Sequence, residues 1–440
     1  MKIFFVSLGC DKNLVDSEMM IGMLAKSGHT ITDDEKEADV VVVNTCCFIL
    51  DAKQESIDTI LQMAELKKNA SLKVLIVTGC LGERYREEIQ AEIPQVDAIL
   101  GTNSFDLIVQ TIDEVMEGKK QNHFTDIHHT PVYGKERMVT TGGHYAYLKI
   151  AEGCDKHCTY CIIPKIRGDF RSVPMEVLLN EAQKLARDGV KELILVAQET
   201  TVYGKDLYGK KALPELLEKL AAIDELEFIR ILYCYPEEIT DELIDVIKKE
   251  PKICHYLDMP IQHASDPILK RMGRRTSHEQ LRSIITKLRK EIPDICLRTT
   301  LITGFPGETK QDFSILKEFV KEMRFDRLGV FPYSLEEGTP AARMKKQIPT
   351  FLKKMRRNEI MRLQQKIAFE KAKEMIGQKL SVMIEGKLPE DGVFIGRTYK
   401  DAPNVDGMVF VNSDRELVTG DVVTVGITDF HEYDLIGEEQ

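Results

Sequence analysis

No apolar run in the 440 residues reaches the roughly 18 that a membrane-spanning helix needs, so no such span is expected. No secretory leader is expected either. The start, MKIFFVSLGC, offers one lysine, about five apolar residues and Leu-Gly-Cys, short of the roughly 7–15 apolar residues of a signal peptide. Its pattern fits a first β-strand, and the chain is expected to be cytoplasmic with no membrane partner. Positive charge is not in excess: 60 Lys and Arg stand against 71 Asp and Glu, a formal net of −11 and a poor global match for nucleic acid. Disulfides are not expected either, because that compartment keeps thiols reduced. The ten cysteines are left to metal or redox chemistry.

The most informative absence is that of a fourth thiol. Residues 154–161 read CDKHCTYC and place Cys154, Cys158 and Cys161 in one C-x-x-x-C-x-x-C run. Iron–sulfur clusters are held by thiolates, normally four. Three leave one iron of a 4Fe–4S cluster without a protein ligand, open to a substrate or cofactor. Structural zinc also wants four ligands. His157 is the candidate for the fourth, but inside so short a run its geometry is cramped, and the cluster is the expected reading.

Residues 1–118 alternate strands (2–8, 38–45, 72–79, 96–100) with helices (about 14–27, 51–68, 82–92 and from 105), which reads as a doubly wound parallel sheet. The first three strands each end in a cysteine: Cys10, Cys46 and Cys80. Ligands of an open α/β sheet lie beyond the carboxyl ends of its strands, so three thiols distant in sequence are expected to converge on a second three-thiolate cluster site. Cys47 cannot point the same way as Cys46 and is expected to be structural. Gly9 and Gly79 permit close backbone approach to a cluster.

Residues 119–143 are polar, contain Pro131 and the pair Gly142–Gly143, and read as a linker whose histidines, His123, His128 and His129, are solvated. Residues 144–342 carry six more strands (146–153, 191–198, 228–235, 255–262, 296–304 and 327–334) with intervening helices, the pattern of an incomplete α/β barrel with its chemistry at the carboxyl ends of the strands. Gln198, Glu199 and Thr200 follow the second of these strands, and Gln262 and His263 the fourth. Arg298 and Thr300 lie in the fifth, ahead of the glycine turn ITGFPGE, whose glycines would admit a ligand to the backbone. Arg298 reads equally well as a salt-bridged barrel residue. Cys234, Cys254 and Cys296 are expected in the core.

CDKHCTYC, with Tyr160 ahead of the last cysteine, resembles the cluster loop of radical S-adenosylmethionine (SAM) enzymes. SLGCDKNLVDSE, NTC and TGC resemble the N-terminal domain of methylthiotransferases, and the C-terminus resembles a TRAM domain. The resemblance covers nearly the whole chain and is to the radical SAM methylthiotransferase family. Asp11, often Pro in that family, and Cys47, often a smaller residue, depart from its pattern.

The implied fold is α/β: an N-terminal doubly wound domain, an open radical SAM partial barrel and a small C-terminal antiparallel β-barrel. The implied cofactors are two 4Fe–4S clusters and SAM, the latter met by Tyr160, Gln198, Glu199, Arg298 and Thr300. The Cys154/Cys158/Cys161 cluster would cleave SAM to a radical that abstracts hydrogen. The Cys10/Cys46/Cys80 cluster would deliver sulfur, and a second SAM the methyl group. SLGCDKNLVDSE and QETTVYGKDLYG point within the family to the branch acting on the β-carbon of an aspartate in small-subunit ribosomal protein S-twelve, free or within the subunit, served by an electron donor and a sulfur donor. The sister branch, which modifies an adenosine of transfer RNA, shares all six cysteines. A non-catalytic iron–sulfur carrier would explain the thiols but not a barrel with its own ligand face.

Residues 343–373 hold eleven Lys and Arg against two Glu, a net of +9. They are expected to form a basic helical connector anchored by Leu352, Met355, Ile360 and Leu363, a solvated face that could also touch ribosomal RNA. Residues 374–440 carry four short strands and a net of −9, from five Lys and Arg against 14 Asp and Glu. Such small barrels often bind RNA, but this charge would repel a phosphate backbone and attract a basic protein.

Overall fold

The structure, a computed structural model, describes residues 1–119, 121–129, 133–389 and 392–440; Pro131 of the expected linker lies outside the described residues. The chain packs as two compact units that interleave along the sequence. One comprises residues 1–140, 151–173 and 334–342; the other comprises 141–150, 174–333 and 343–440.

In the first unit, β1 (Lys2–Ser7), β2 (Thr30–Ile31), β3 (Val40–Thr45), β4 (Val74–Thr78) and β5 (Ala98–Ile99) form one parallel sheet in the order β2-β1-β3-β4-β5. This is the flavodoxin-like doubly wound order, with its switch point between β1 and β3. β3 and β4 are buried along their whole length, which is why they read as unbroken apolar runs. Register aligns the strand ends: Ser7 lies opposite Asn44, and Asn44 opposite Thr78. Helix α1 (Asp11–Lys26) leaves β1, α2 (Leu50–Asn69) follows β3, and α3 (Gly79–Tyr85) leaves β4. The expected helix 82–92 is two helices, because Arg86 takes a left-handed φ of 45° between them.

The expected linker packs with this unit up to Thr140, and of its three histidines His128 and His129 are exposed while His123 is not. His123 bridges Leu100 in the sheet and its ring meets Glu114 at 2.7 Å. Glu18, fully buried, accepts from Arg137 and from the Thr140 backbone. His128, by contrast, is exposed beside Asp169. A two-stranded hairpin, β7 (Ala151–Glu152) with β8 (Arg171–Ser172), also belongs here.

In the second unit, β6 (Tyr145–Lys149), β9 (Glu192–Val196), β10 (Phe228–Ile231), β11 (Ile253–Asp258), β12 (Cys296–Thr303) and β13 (Arg327–Pro332) pair in sequence order, all parallel, as a six-stranded open sheet. The Gly304-Phe305-Pro306-Gly307 turn after β12 has little room for side chains at its glycines. A Cβ on Gly304 would lie 2.3 Å from the Lys353 side chain, and one on Gly307 would lie 2.9 Å from the Arg271 guanidinium.

At the C-terminus, β14 (Lys379–Lys387), β15 (Val393–Thr398), β16 (Val409–Asn412), β17 (Val422–His431) and β18 (Asp434–Glu439) close a barrel. Its pairings are antiparallel except β16 with β18. The acidic DLIGEE of β18 gave no strand pattern in the sequence. A buried charge chain fixes this barrel to the open sheet. Glu192 accepts from Arg230 (2.7 Å) and from Arg397 (2.6 Å), and Arg397 reaches on to Glu385 (2.7 Å). Glu192 and Arg230 are fully buried, and Arg397 almost so.

Truncating Arg397 leaves Glu192 and Glu385 short of a cation in a dry interior. Arg397→Ala is expected to cost about 3–5 kcal/mol, read as a lower urea midpoint; an unchanged midpoint would show that the chain of charges contributes nothing net.

Candidate functional site

The three strand-end cysteines follow adjacent strands, β1, β3 and β4, of one sheet. Cys10 is the N-cap of α1, where the positive end of a 16-residue helix favours an anion. Cys46 lies two residues beyond Asn44, and Cys80 in the first turn of α3. Gly9 has φ +91°, and a Cβ there would sit 2.7 Å from Cys46 Cβ and 3.0 Å from its Sγ. A Cβ on Gly79, φ +87°, would lie 2.2 Å from Asn44 Oδ1 and 2.6 Å from the Thr45 carbonyl, so this glycine lets β4's end approach that of β3. Burial raises the Cys46 and Cys80 thiols above the ordinary thiol range, and the Arg167 guanidinium pulls both back down.

Cys47 shares an apolar cluster with Cys80 of this group. It is fully buried in the apolar core with Val43, Met63 and Leu81, and burial pushes its thiol up to about 11. Its carbonyl accepts from Arg84 at 3.2 Å. Cys46 is held on both sides by Ser56, which accepts from its N–H (3.0 Å) and donates to its carbonyl (2.8 Å).

The loop 154–161 hangs from the β7–β8 hairpin. Cys154 N–H donates to the Gly168 carbonyl (3.1 Å), Asp155 accepts from Phe170 N–H (2.9 Å), and Cys161 N–H donates to Cys158 O (3.0 Å). Gly153 has no room for a side chain: a Cβ would lie 2.0 Å from the Asp169 carbonyl. His157 turns the chain with a left-handed φ of 50° and is exposed, whereas Cys154 and Cys158 are buried and Cys161 and Tyr160 partly so. This placement takes His157 out of the thiol set.

One residue that the sequence did not single out joins the two triads. Arg167, almost fully buried, donates to Asp16 (2.9 Å), to Glu152 (3.2 Å) and to Asn13 Oδ1. Asn13 in turn donates to the Leu8 carbonyl (3.0 Å) and the Thr45 carbonyl (2.9 Å), the backbone just ahead of Cys10 and Cys46. Asn44 donates to Asn13 O and Ser17. The sequence signal was α1 itself: Lys12, Asn13, Asp16, Ser17 and Glu18 are consecutive or nearly so, polar and buried.

All ten cysteines are free thiols. Among the described residues, no three His, Cys, Asp or Glu side chains are drawn in tightly enough for a single metal ion. Three thiolates per set suit a 4Fe–4S cluster with one iron left open, whereas structural zinc takes four ligands.

In the second unit, Gln198 and Glu199 follow β9; Glu199 is buried and accepts from Thr201. Thr200 ties this turn to the next strand end by donating to Leu232 O (2.7 Å). Tyr233 (φ 62°) and Gln262 (φ 68°), at the ends of β10 and β11, hold left-handed backbones that ordinary side chains avoid; such strain collects at functional sites. His263 is buried, its Nδ1 accepting from Ser265 N–H. Thr300 shares a face of β12 with Arg298. Arg298 itself lies in the amino-terminal half of the strand, against Asp258 (3.4 Å) and Asp406 of the β15–β16 loop (3.7 Å). That placement favours the salt-bridged reading of Arg298. Cys234, Cys254 and Cys296 are core residues, as expected.

Three family models match: the uncharacterized protein family UPF0004 over residues 2–101, the radical SAM superfamily over 148–320 and the TRAM domain over 376–439. The chain is 68% identical over 437 residues to the ribosomal protein uS12 methylthiotransferase RimO of Lachnoclostridium phytofermentans, covering 99% of each chain. It is 53% identical over 433 residues to the protein of that name from Caldanaerobacter subterraneus, covering 98% of each. Among solved structures, the radical SAM methyltransferase TsrM of Kitasatospora setae, with cobalamin and a 4Fe–4S cluster bound, shares the fold at a TM-score of 0.56 and 13% identity over 86% of this chain and 80% of that one.

An iron–sulfur cluster and SAM are the cofactors of this superfamily, which makes iron content a direct readout. Cys47→Ala is expected to retain the iron of the reconstituted chain and Cys46→Ala to lose about half of it; the opposite pattern would move the ligand to Cys47. Arg167→Met is expected to lower iron retention, because it removes a cation from Asp16 and Glu152 and frees Asn13. The full-length matches, the three domain models and the two thiol triads together place the chain in the family of RimO-type radical SAM methylthiotransferases.

Proposed function

We propose that the chain inserts sulfur and a methyl group at the β-carbon of an aspartate of ribosomal protein uS12, in the cytoplasm, using two 4Fe–4S clusters and SAM. What supports the two-cluster reading is the presence of two separate sets of three free thiols within one compact unit. Cys154, Cys158 and Cys161 would hold one cluster, and Cys10, Cys46 and Cys80 the other. Bound there, the clusters supply one-electron reduction of SAM and a site for sulfur.

The chain's own residues bind, orient and enclose. Three thiolates per site leave one coordination position to be filled from outside the protein. Burial of Cys46, Cys80, Cys154 and Cys158 keeps bulk water from most of each donor set. The Arg167 cation beside Cys46 and Cys80 offsets part of the negative charge that thiolates bring into a dry site. Tyr160, Gln198, Glu199 and Thr300 are the proposed SAM contacts, with Arg298 committed to the C-terminal barrel. Functionally, residues 1–118 would serve sulfur transfer, 119–143 the join, 144–342 radical generation, 343–373 connection and 374–440 substrate contact. Acids exposed on the C-terminal barrel, among them Asp414, Glu416, Asp429, Glu432 and Glu438, suit a basic protein. An electron donor and a sulfur donor complete the requirement.

Reconstituted chain, SAM, reductant and a sulfur source are expected to add one methylthio group to uS12, seen by mass spectrometry; modification of transfer RNA and not of the protein would reject the reading. Cys154→Ala should abolish SAM cleavage, whereas Cys10→Ala should spare cleavage and abolish sulfur insertion. Equal loss of cleavage in both would refute the division of labour.

A further inference from the structure

The helix Thr350–Glu374 has a face that the proposed reaction does not use. Its buried stripe is Lys353, Arg356, Ile360, Gln364, Ile367 and Ala368. The opposite stripe, at the three- and four-residue spacing of one helical face, carries Phe351, Lys354, Met355, Arg362 and Lys366, all exposed. Phe351 is 72% and Met355 53% exposed.

The carboxylates nearest this stripe, Glu359 and Glu370 at its edge, are both already paired. Each of the helix's acids meets a cation of the helix Lys310–Met323 or the turn after it: Glu359 is on Lys317 (2.7 Å), and Glu370 and Glu374 on Arg324 (2.7 and 3.8 Å). Among the described residues, Lys354, Arg362 and Lys366 make no ion pair. Exposed Lys345 and Lys346 extend the same sign ahead of the helix.

Like charges left unpaired on one face of a chain with net −11 add nothing to the helix by themselves. Their spacing decides what they suit. Lys354 and Arg362 are about 12 Å apart along the axis and Arg362 and Lys366 about 6 Å, a ladder that matches a polyanion running along the helix and not a single small anion. A membrane surface would need a broad apolar face along the whole helix, and here the apolar residues cluster at one end. An exposed aromatic beside a row of cations is the combination that single-stranded or looped RNA uses, with a base stacked on the ring and phosphates on the cations.

We propose that this stripe binds RNA, and that the uS12 substrate is met together with the small-subunit RNA on which it is assembled. The identity of that RNA rests on the proposed function; the binding itself does not.

The test uses the reconstituted full chain and the variant Lys354→Glu/Arg362→Glu/Lys366→Glu, none of whose positions is a proposed cluster or SAM ligand. Affinities are measured across a salt series for small ribosomal subunits carrying unmodified uS12, for their naked RNA, for transfer RNA and for anionic lipid vesicles. Methylthiolation of free uS12 and of subunits is followed by mass spectrometry. The wild type is expected to bind subunits and their RNA more tightly as salt falls. In the variant the salt slope drops by about three, affinity falls at least about tenfold, and subunits are modified more slowly while free uS12 is modified as before. Equal RNA binding by both forms, or preference of the wild type for transfer RNA or vesicles over subunit RNA, would overturn the proposal. Failure of both forms to modify uS12 in any state would sink the reaction instead, leaving the RNA affinities to decide the surface.

Discussion

The first unit depends on one buried guanidinium. Arg167 follows the second cysteine loop in the chain and ends in the polar first turns of α1, among Asn13, Asp16 and Glu152. A cation in so dry a place is tolerable only with anions and hydrogen bonds around it, and each of these partners has a second task. Asn13 fixes the backbone before Cys10 and before Cys46, Asp16 belongs to the helix that Cys10 caps, and Glu152 lies in the hairpin that starts the Cys154 loop. The geometry of both triads therefore follows from where one side chain can be neutralised. Without it, Asp16 and Glu152 would both lose this cation from the interior.

Around that cation the backbone is held in conformations that side chains resist. Gly9, Gly79 and Gly153 have positive φ and no space for a Cβ, and His157 turns left-handed inside the cysteine run. Each bend brings a thiol-bearing segment closer to its neighbours than a regular strand end would allow. The thiols are thus preorganised by hydrogen bonds from Ser56, Asn13 and the β7–β8 hairpin before any metal arrives, which limits the conformational entropy that ligation has to overcome.

Much of this was legible in the sequence, for identifiable reasons. The parallel strands β3 and β4 are buried on both faces and so appear as apolar runs; their ends were the natural place for ligands, and the cysteines are there. Short elements were not legible. β2, β7 and β8 have two residues each, too few for any periodicity, and β18 is recognisable only through its pairing with β16 and β17. The Arg167 network was hidden because its partners are polar residues on a helix face that amphipathic reasoning assigns to solvent. The connector failed in the same way: Met355 was expected to anchor the helix and is exposed, whereas Lys353 and Arg356 are buried, one donating to the Tyr333 carbonyl and the other paired with Glu308 at 2.6 Å.

That failure bears on how charge should be read along this chain. The +9 of residues 343–373 includes Lys353 and Arg356, which are consumed inside, and Lys371, which meets Asp326. The −9 of residues 374–440 includes Asp401 and Asp406, held by Arg327 and Arg298 of the open sheet, and Glu385, held by Arg397 and His144. Part of each apparent excess is thus the cement between elements and never reaches solvent. What remains outside is smaller but better organised: a row of cations on one helical face, and separate carboxylates on the barrel's rim. A substrate that is a basic protein embedded in RNA presents both signs, and a surface that keeps its own two signs on different elements can meet both without neutralising itself.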